Sequence, residues 1–328
     1  MFNKKGLILI IFFICVLIAF IASLINGSVN ISTAQVLNSI FNIGDASLDE
    51  TKRQILQNIR LPRTIVAMLV GINLSLSGAI LQAVMKNPLA DPHIIGISSG
   101  AGLFGIFVML VKGDAGALIT PAAFVGAMLA ALLIYILAWK DGIRPIRVIL
   151  AGVAVSAFLG AGISTMLIFY SDKVHSALLW MVGGLSARSW NHVEILYPYT
   201  IIGTVLTFLG ARHLNILQLG DEVAKGLGLR VDLVRTFLTA VAALLAASAV
   251  CVVGLLGFVG LIIPHTARLL IGSDYRFLLP AAALLGASVL TISDTFARTM
   301  FAPTELPVGI LMAMLGAPFF LFLLRKQL

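Results

Sequence analysis

Long apolar stretches alternate with short polar breaks along this 328-residue chain. An apolar run of roughly 20 residues crosses a bilayer as a helix. Bounding such runs by charges, Gly and Pro predicts ten helices. They fall near 6–26, 63–84, 93–111, 115–138, 146–169, 191–210, 233–254, 258–271, 277–298 and 306–324, the eighth being short. One unit, Arg60–Gly102, organises the rest. Arg60-Leu61-Pro62-Arg63 opens an apolar span, Lys86–His93 breaks it, and a Gly- and Ser-rich apolar segment follows. Pro88 and Pro92 end the first helix and turn the chain, because proline lacks a donor and restricts the residue before it. The hairpin therefore carries charge at one mouth and a rigid turn at the other.

Between spans the connections are mostly tight, so helices adjacent in sequence should pack antiparallel. Three segments are longer: 27–62, 170–190 and 212–232. Small residues recur inside spans, as in Gly71, Ser75 and Gly78, or Gly152, Ser156 and Gly160. That spacing lets helix backbones approach closely in lipid. No soluble domain stands out, and the chain reads as a single transmembrane domain over 1–328. Pro92-His93 and Pro264-His265 give a weak hint of an internal repeat.

Composition agrees with the pattern: 60% of residues are hydrophobic, 11% are charged and mean hydropathy is +1.07. Soluble domains carry about a quarter charged residues, so this is an all-α polytopic membrane protein. Lys4 and Lys5 before an apolar run suggest a signal peptide. The run Gly6–Ile25 is longer than a usual signal core and lacks a clear cleavage site, so it reads as a retained helix. The net charge of +8 lies in short loops, which points to positive cytoplasmic loops and not to nucleic acid. With both termini inside, the inner segments hold 14 of the 22 Lys and Arg residues. Lys52, Arg53, Arg60 and Arg63 oppose the bias locally. Cys15 and Cys251 both lie in apolar spans and read as packing residues.

Two enzyme-like patterns are discounted. Gly96-Ile97-Ser98-Ser99-Gly100 fits a nucleophile elbow, and Gly100-Ala101-Gly102-Leu103-Phe104-Gly105 fits a dinucleotide fingerprint. Each needs a strand–turn–helix context, and here both open a membrane helix. The five histidines show no ligand spacing for a metal. No phosphate loop is present, so ATP hydrolysis would belong to another subunit. Ionisable residues fall at predicted helix ends: Asp294, Arg298 and Glu305 outside, Arg268, Asp274 and Arg276 inside. No run of buried acids suggests ion coupling of the secondary-transporter kind. An ion-driven transporter and a membrane hydrolase using Ser98 are the rival readings.

A transporter without its own engine needs a dock for one. The inner segment Leu219–Arg230 has helix formers, acids at Asp221 and Glu222, and glycines at 220, 226 and 228. It reads either as short helices held off the membrane or as a solvated loop. Arg60 and Arg63 at a helix start, with Arg298 at the end of a later helix, read as a dock for an acidic partner or as headgroup anchors.

Three stretches together resemble the permease subunits of bacterial iron–siderophore, haem and cobalamin ABC importers, the FecCD type. They are Arg60–Gly102 (LPR, SGAILQ, NPLADP, GISSGAG), GDEVAKGLG at 220–228, and Gly257–Phe320 with its PHTARLLIGSD, SDTFAR and ELPVGILMAMLGAPFF runs. The resemblance covers most of the chain after residue 55. It implies the type II importer fold, with ten helices and both termini cytoplasmic, in a multi-pass protein of the bacterial cell membrane. It also implies a second permease subunit, a pair of cytoplasmic ATPase subunits that hold the ATP, and an extracytoplasmic binding protein. The segment 219–230, through Gly220, Asp221, Glu222, Ala224, Gly226 and Gly228, would couple to the ATPase. Arg60, Arg63 and Arg298 would meet glutamates of the binding protein. The translocation path is assigned to the helix near 146–169 and to Gly78, Gln82, Asn87, Pro88, Gly96 and Ser98. Neither a cofactor nor a resident metal is expected in this chain, and the cargo bet is an iron(III)–siderophore.

Overall fold

Three helices rich in small residues form the middle of the molecule. The computed structural model describes residues 4–27, 29, 31–36, 49–112, 116–140 and 142–327. Its helices are α1 (Lys4–Ile25), α2 (Glu50–Val84), α3 (Ile97–Phe107), α4 (Gly116–Ala138), α5 (Pro145–Phe169), α6 (Val174–Val182), α7 (Trp190–Leu217), α8 (Asp221–Gly226), α9 (Val231–Val253), α10 (Val259–Ile271), α11 (Tyr275–Thr299) and α12 (Val308–Gln327). Seven are long and apolar enough to cross a membrane. Shorter apolar helices at Ile97–Lys112, Val259–Ile271 and Val308–Phe322 bring the apolar helices to the ten expected.

The centre is α2, α9 and α11, each mostly buried, while α1, α4, α5 and α7 bury only about a quarter of their residues. Close backbone crossings mark the centre. Where α2 crosses α11, a Cβ on Gly71 would sit 2.2 Å from the Gly286 carbonyl oxygen; where it crosses α10, one on Gly78 would sit 1.8 Å from the Gly260 oxygen. Only glycine permits those approaches. Two polar side chains of the centre bond from one helix to another. Asn73 Nδ2 donates to Ser248 Oγ at 3.1 Å, and Ser77 Oγ donates to the Ala242 carbonyl at 2.7 Å. In lipid such bonds contribute about 0.6–2 kcal/mol each. Outward faces instead carry large apolar side chains, such as Phe158 and Phe169 on α5.

Several boundaries differ from the sequence expectation for identifiable reasons. The 27–62 segment is not all loop, because α2 begins at Glu50. Its turn widens to a π-helical pitch over Ile55–Arg60, just before Pro62, which has no N–H to donate back. The third span starts at Ile97 and not at 93. Pro92–Ile95 is a 3₁₀ turn whose His93 N–H donates to Asp91 Oδ1 at 2.9 Å, and Gly96 takes a φ of 68°. Helix α7 continues to Leu217, carrying Arg212 and His213 within it. Within 170–190 lies the short helix α6. The two Pro-His pairs are not equivalent: one sits in the 3₁₀ turn, the other inside α10.

Candidate functional site: two charged rims joined by one helix

Polar and charged contacts gather at the two ends of the bundle. At one end, the arginine rim, the last turn of α1 meets the start of α2, the end of α11 and the loops at 183–189 and 300–307. Arg60 donates to the carbonyls of Leu24 (2.8 Å), Ile25 (2.9 Å) and Val29. It thereby supplies donors to carbonyls that the end of α1 leaves free. Arg63 grips Asp294 with two bonds of 2.9 Å, and its Nη1 donates to Glu305 Oε2 at 2.8 Å. Arg298 donates to Ser23 Oγ at 3.0 Å and to the Ser23 carbonyl. Ser23 Oγ also bonds Thr64 Oγ1 at 2.7 Å, closing the network. Arg188 stands near Arg63 and contacts His192 at 3.3 Å; burial, then the charge of Arg63, lowers the Arg188 pKa from its ordinary value. Four guanidiniums here face two carboxylates, Asp294 and Glu305, so the rim keeps an excess of positive charge.

The three arginines assigned to docking are turned inward: Arg60, Arg63 and Arg298 are 3%, 6% and 8% exposed. The accessible member of the group is Glu305, whose side chain is 43% exposed. The sequence shows no run of buried acids, but one acid expected at the outer end of a helix, Asp294, is buried at 1% exposed. Its partner Arg63 lies 231 residues away in sequence, a pairing that no local pattern reveals.

At the opposite end, the Asp221 rim, a six-residue helix stands on the bundle. Gly220 (φ 104°) and Gly228 (φ 81°) bound α8. Its end closes with Leu229 N–H donating to the Ala224 carbonyl and Gly228 N–H to the Lys225 carbonyl, a Schellman cap that requires the left-handed glycine. Ala224 is buried, whereas Glu222, Leu219, Val223 and Leu227 are exposed. Asp221 accepts from Lys86 Nζ at 2.6 Å and from Arg235 Nη2 at 3.0 Å. Partial burial pushes the Asp221 carboxyl up, but these two cations outweigh it and hold its pKa below the ordinary value. Arg235, itself buried, donates to the Ile143 carbonyl at 2.8 Å. The carboxylate of α8 thus ties the end of α2, the start of α9 and the α4–α5 turn together. Leu61–Val84 alone is 24 residues, about 36 Å, so α2 runs rigidly from Arg63 to the Lys86 turn.

The model of the FecCD transport family matches residues 15–326. This chain belongs to the FecCD transport family. It is 39% identical over 99% of its length to the Fe(3+)-citrate import system permease protein YfmE of Bacillus subtilis, covering 97% of that protein. It is 42% identical to the cobalamin import system permease protein BtuC of Halobacterium salinarum, over 85% of this chain and 75% of that one. Its fold matches a solved inward-facing metal-chelate type ABC transporter with a TM-score of 0.87, at 28% identity and covering 97% and 99% of the two chains. Like its relatives, the FecCD chain is a multi-pass membrane transport protein.

The remaining assigned residues fall in different places. Gly78 lies in the α2–α10 crossing, and Gln82 Nε2 donates to the Gly260 and Leu261 carbonyls at 3.3 and 3.2 Å. Gln82, Asn87 and Pro88 also line a 320 Å³ cleft at the Asp221 rim. Gly96 abuts Ile134 and Ser156, and Ser98 Oγ is buried without a hydrogen-bond partner, so no histidine is positioned to activate it. The glycines of the supposed dinucleotide fingerprint are packing residues: a Cβ on Gly100 would meet the Gly126 carbonyl at 2.2 Å. A 660 Å³ apolar cleft opens instead beside α12, walled by Asp91, His93, Phe258, Leu261, Ile310 and Met314 among others. Lys86 and Arg235, the cations that hold α8, were missed in the sequence. A lysine before Asn-Pro and an arginine inside a span carry no local sign of a partner far along the chain.

Proposed function

We propose that this FecCD chain is the permease subunit of a binding-protein-dependent ABC importer carrying an iron(III)–siderophore complex across the bacterial cytoplasmic membrane. The observation that carries the reading is α8: an exposed apolar and acidic helix anchored through Asp221 to three separate parts of the bundle. Leu219, Val223 and Leu227 exposed at a charged rim suit burial in a partner's groove, here that of a cytoplasmic ATPase. Gly220, Asp221, Glu222, Ala224, Gly226 and Gly228 form and fix that contact, and both termini then lie in the cytoplasm. At the other end, the positive excess around Arg60, Arg63 and Arg298 favours a binding protein that presents carboxylates. Each such pair contributes little, about 0–1 kcal/mol, and acts mostly on encounter rate and orientation.

Transport follows by alternating access. ATP binding on the partner subunits displaces α8, the tie through Asp221 carries the shift to α2 and α9, and this chain rocks against a second permease subunit. The path passes between the two, along α5 and the turn at 86–89; Gly78 and Gln82 are packed inside this chain and support it from behind. No bond of the cargo changes, so the chain is not an enzyme, and the ATP and its chemistry stay on the ATPase pair. A haem or cobalamin cargo is the second reading, favoured by the 42% identity to a cobalamin permease.

The test is ATPase activity in nanodiscs with the cognate ATPase and binding protein, across ferric siderophores, haem and cobalamin. Stimulation by a ferric siderophore and its loss in Arg60→Glu/Arg63→Glu are the expected results. Stimulation by haem or cobalamin alone would replace the cargo, and no ATPase association would overturn the importer reading.

A further inference from the structure

Arg63 is shared between two carboxylates with different access to solvent. Asp294 is buried and takes Nε and Nη2, so it is a fixed counter-ion that no partner can displace from outside. Glu305 takes Nη1 from the exposed 300–307 turn, and its only other side-chain hydrogen bond among the described residues comes from Ser186 Oγ at 3.0 Å. Of the two carboxylates on Arg63, Glu305 is the one that solvent reaches, its side chain being 43% exposed. A carboxylate arriving on Arg63 from a docking protein therefore meets a carboxylate already there. Two like charges on one Nη repel, so one must leave. Glu305 can leave cheaply, because residues 301–305 are all exposed.

We propose that Glu305 is an internal placeholder, occupying the Arg63 position that a glutamate of the binding protein takes on docking. Docking is then an exchange of one carboxylate for another. Beside the fixed Asp294, Arg63 Nη1 then keeps a carboxylate partner between transport cycles, and the binding protein is held weakly enough to release. The proposal rests on the docking role of the arginine rim given above. A merely structural ion pair stapling the 300–307 turn makes the opposite forecast, since its loss would loosen the rim and weaken docking.

The experiment measures association and dissociation of the loaded cognate binding protein on the complete importer in nanodiscs, by biolayer interferometry at low and high salt. Glu305→Gln keeps the shape and removes the charge, and is expected to tighten binding roughly two- to fivefold, mainly through faster association. Ser186→Ala loosens Glu305 without touching a charge, and is expected to shift binding the same way by less. The gain from Glu305→Gln should shrink near ~0.5 M salt, where exposed charges are screened. Arg63→Ala is the control for the dock itself. Unchanged or weaker binding in Glu305→Gln, with Arg63→Ala also weaker, overturns the placeholder and leaves the dock standing. Unchanged binding in Arg63→Ala removes both. If Glu305→Gln fails to assemble, Ser186→Ala decides by the direction of its shift.

Discussion

Removing the carboxylate of Asp294 would leave the Arg63 guanidinium buried with only Glu305 for a partner. Breaking a buried pair from one side costs about 3–5 kcal/mol, because the remaining charge stays desolvated. Asp294→Asn is therefore expected to lower the thermal midpoint of the purified protein by several degrees, and Glu305→Gln much less, since Glu305 is half in water. Equal midpoints for the two variants would contradict the burial argument. A paired apolar replacement, Arg63→Met with Asp294→Leu, should recover much of the lost stability while abolishing docking. None of this is visible from residue types: the sequence puts Arg63 and Asp294 each near an expected helix end, where water or headgroups would serve as well. Proximity in the fold is what makes them one unit.

Helix packing separates two stripes that look alike as text. Gly71, Ser75 and Gly78 face other backbones at contact distance, whereas Gly160, in the second small-residue stripe, has open space around its Cα within this chain. Gly78→Leu must push α2 off α10 and is expected to cost about 1–3 kcal/mol or more, read as lost expression and a lower midpoint. Gly160→Leu should cost less than about 1 kcal/mol in the same assay. The apolar character and order of the ten helices were legible from hydropathy, as was the break at Lys86–His93. Their depth in the bundle was not, because an Ala- and Ser-rich run reads as only moderately apolar wherever it ends up.

Across the whole molecule, α2 joins the Arg63 contacts at one rim to the Lys86–Asp221 contact at the other. Asp221→Asn is expected to preserve assembly while reducing binding-protein-stimulated ATPase severalfold, because α8 would then move without pulling α2 and α9. Stimulation at the wild-type level in that variant would remove Asp221 from the transmission path. The pH dependence follows from the lowered Asp221 pKa. The tie is fully present above the ordinary aspartate value and is lost only as pH falls through the lower folded one. Between about pH 5 and 8 this contact should contribute no slope to coupling.

The linear chain determined the ten apolar helices, the turn at Asn87–Pro92 and the family, through runs of apolar residues and motifs that depend only on neighbours in sequence. The residues at 220–228 left short helices and a solvated loop both open; the fold shows a six-residue helix between Gly220 and Gly228, whose backbone angles only glycine takes without cost. Tertiary structure decided that Arg60, Arg63 and Arg298 point inward, that Glu305 covers Arg63, and that Asp221 gathers Lys86 and Arg235. The physical reason is range. Hydropathy and backbone preference act over a few residues, whereas a buried charge takes whichever partner the folded helices bring within about 3 Å.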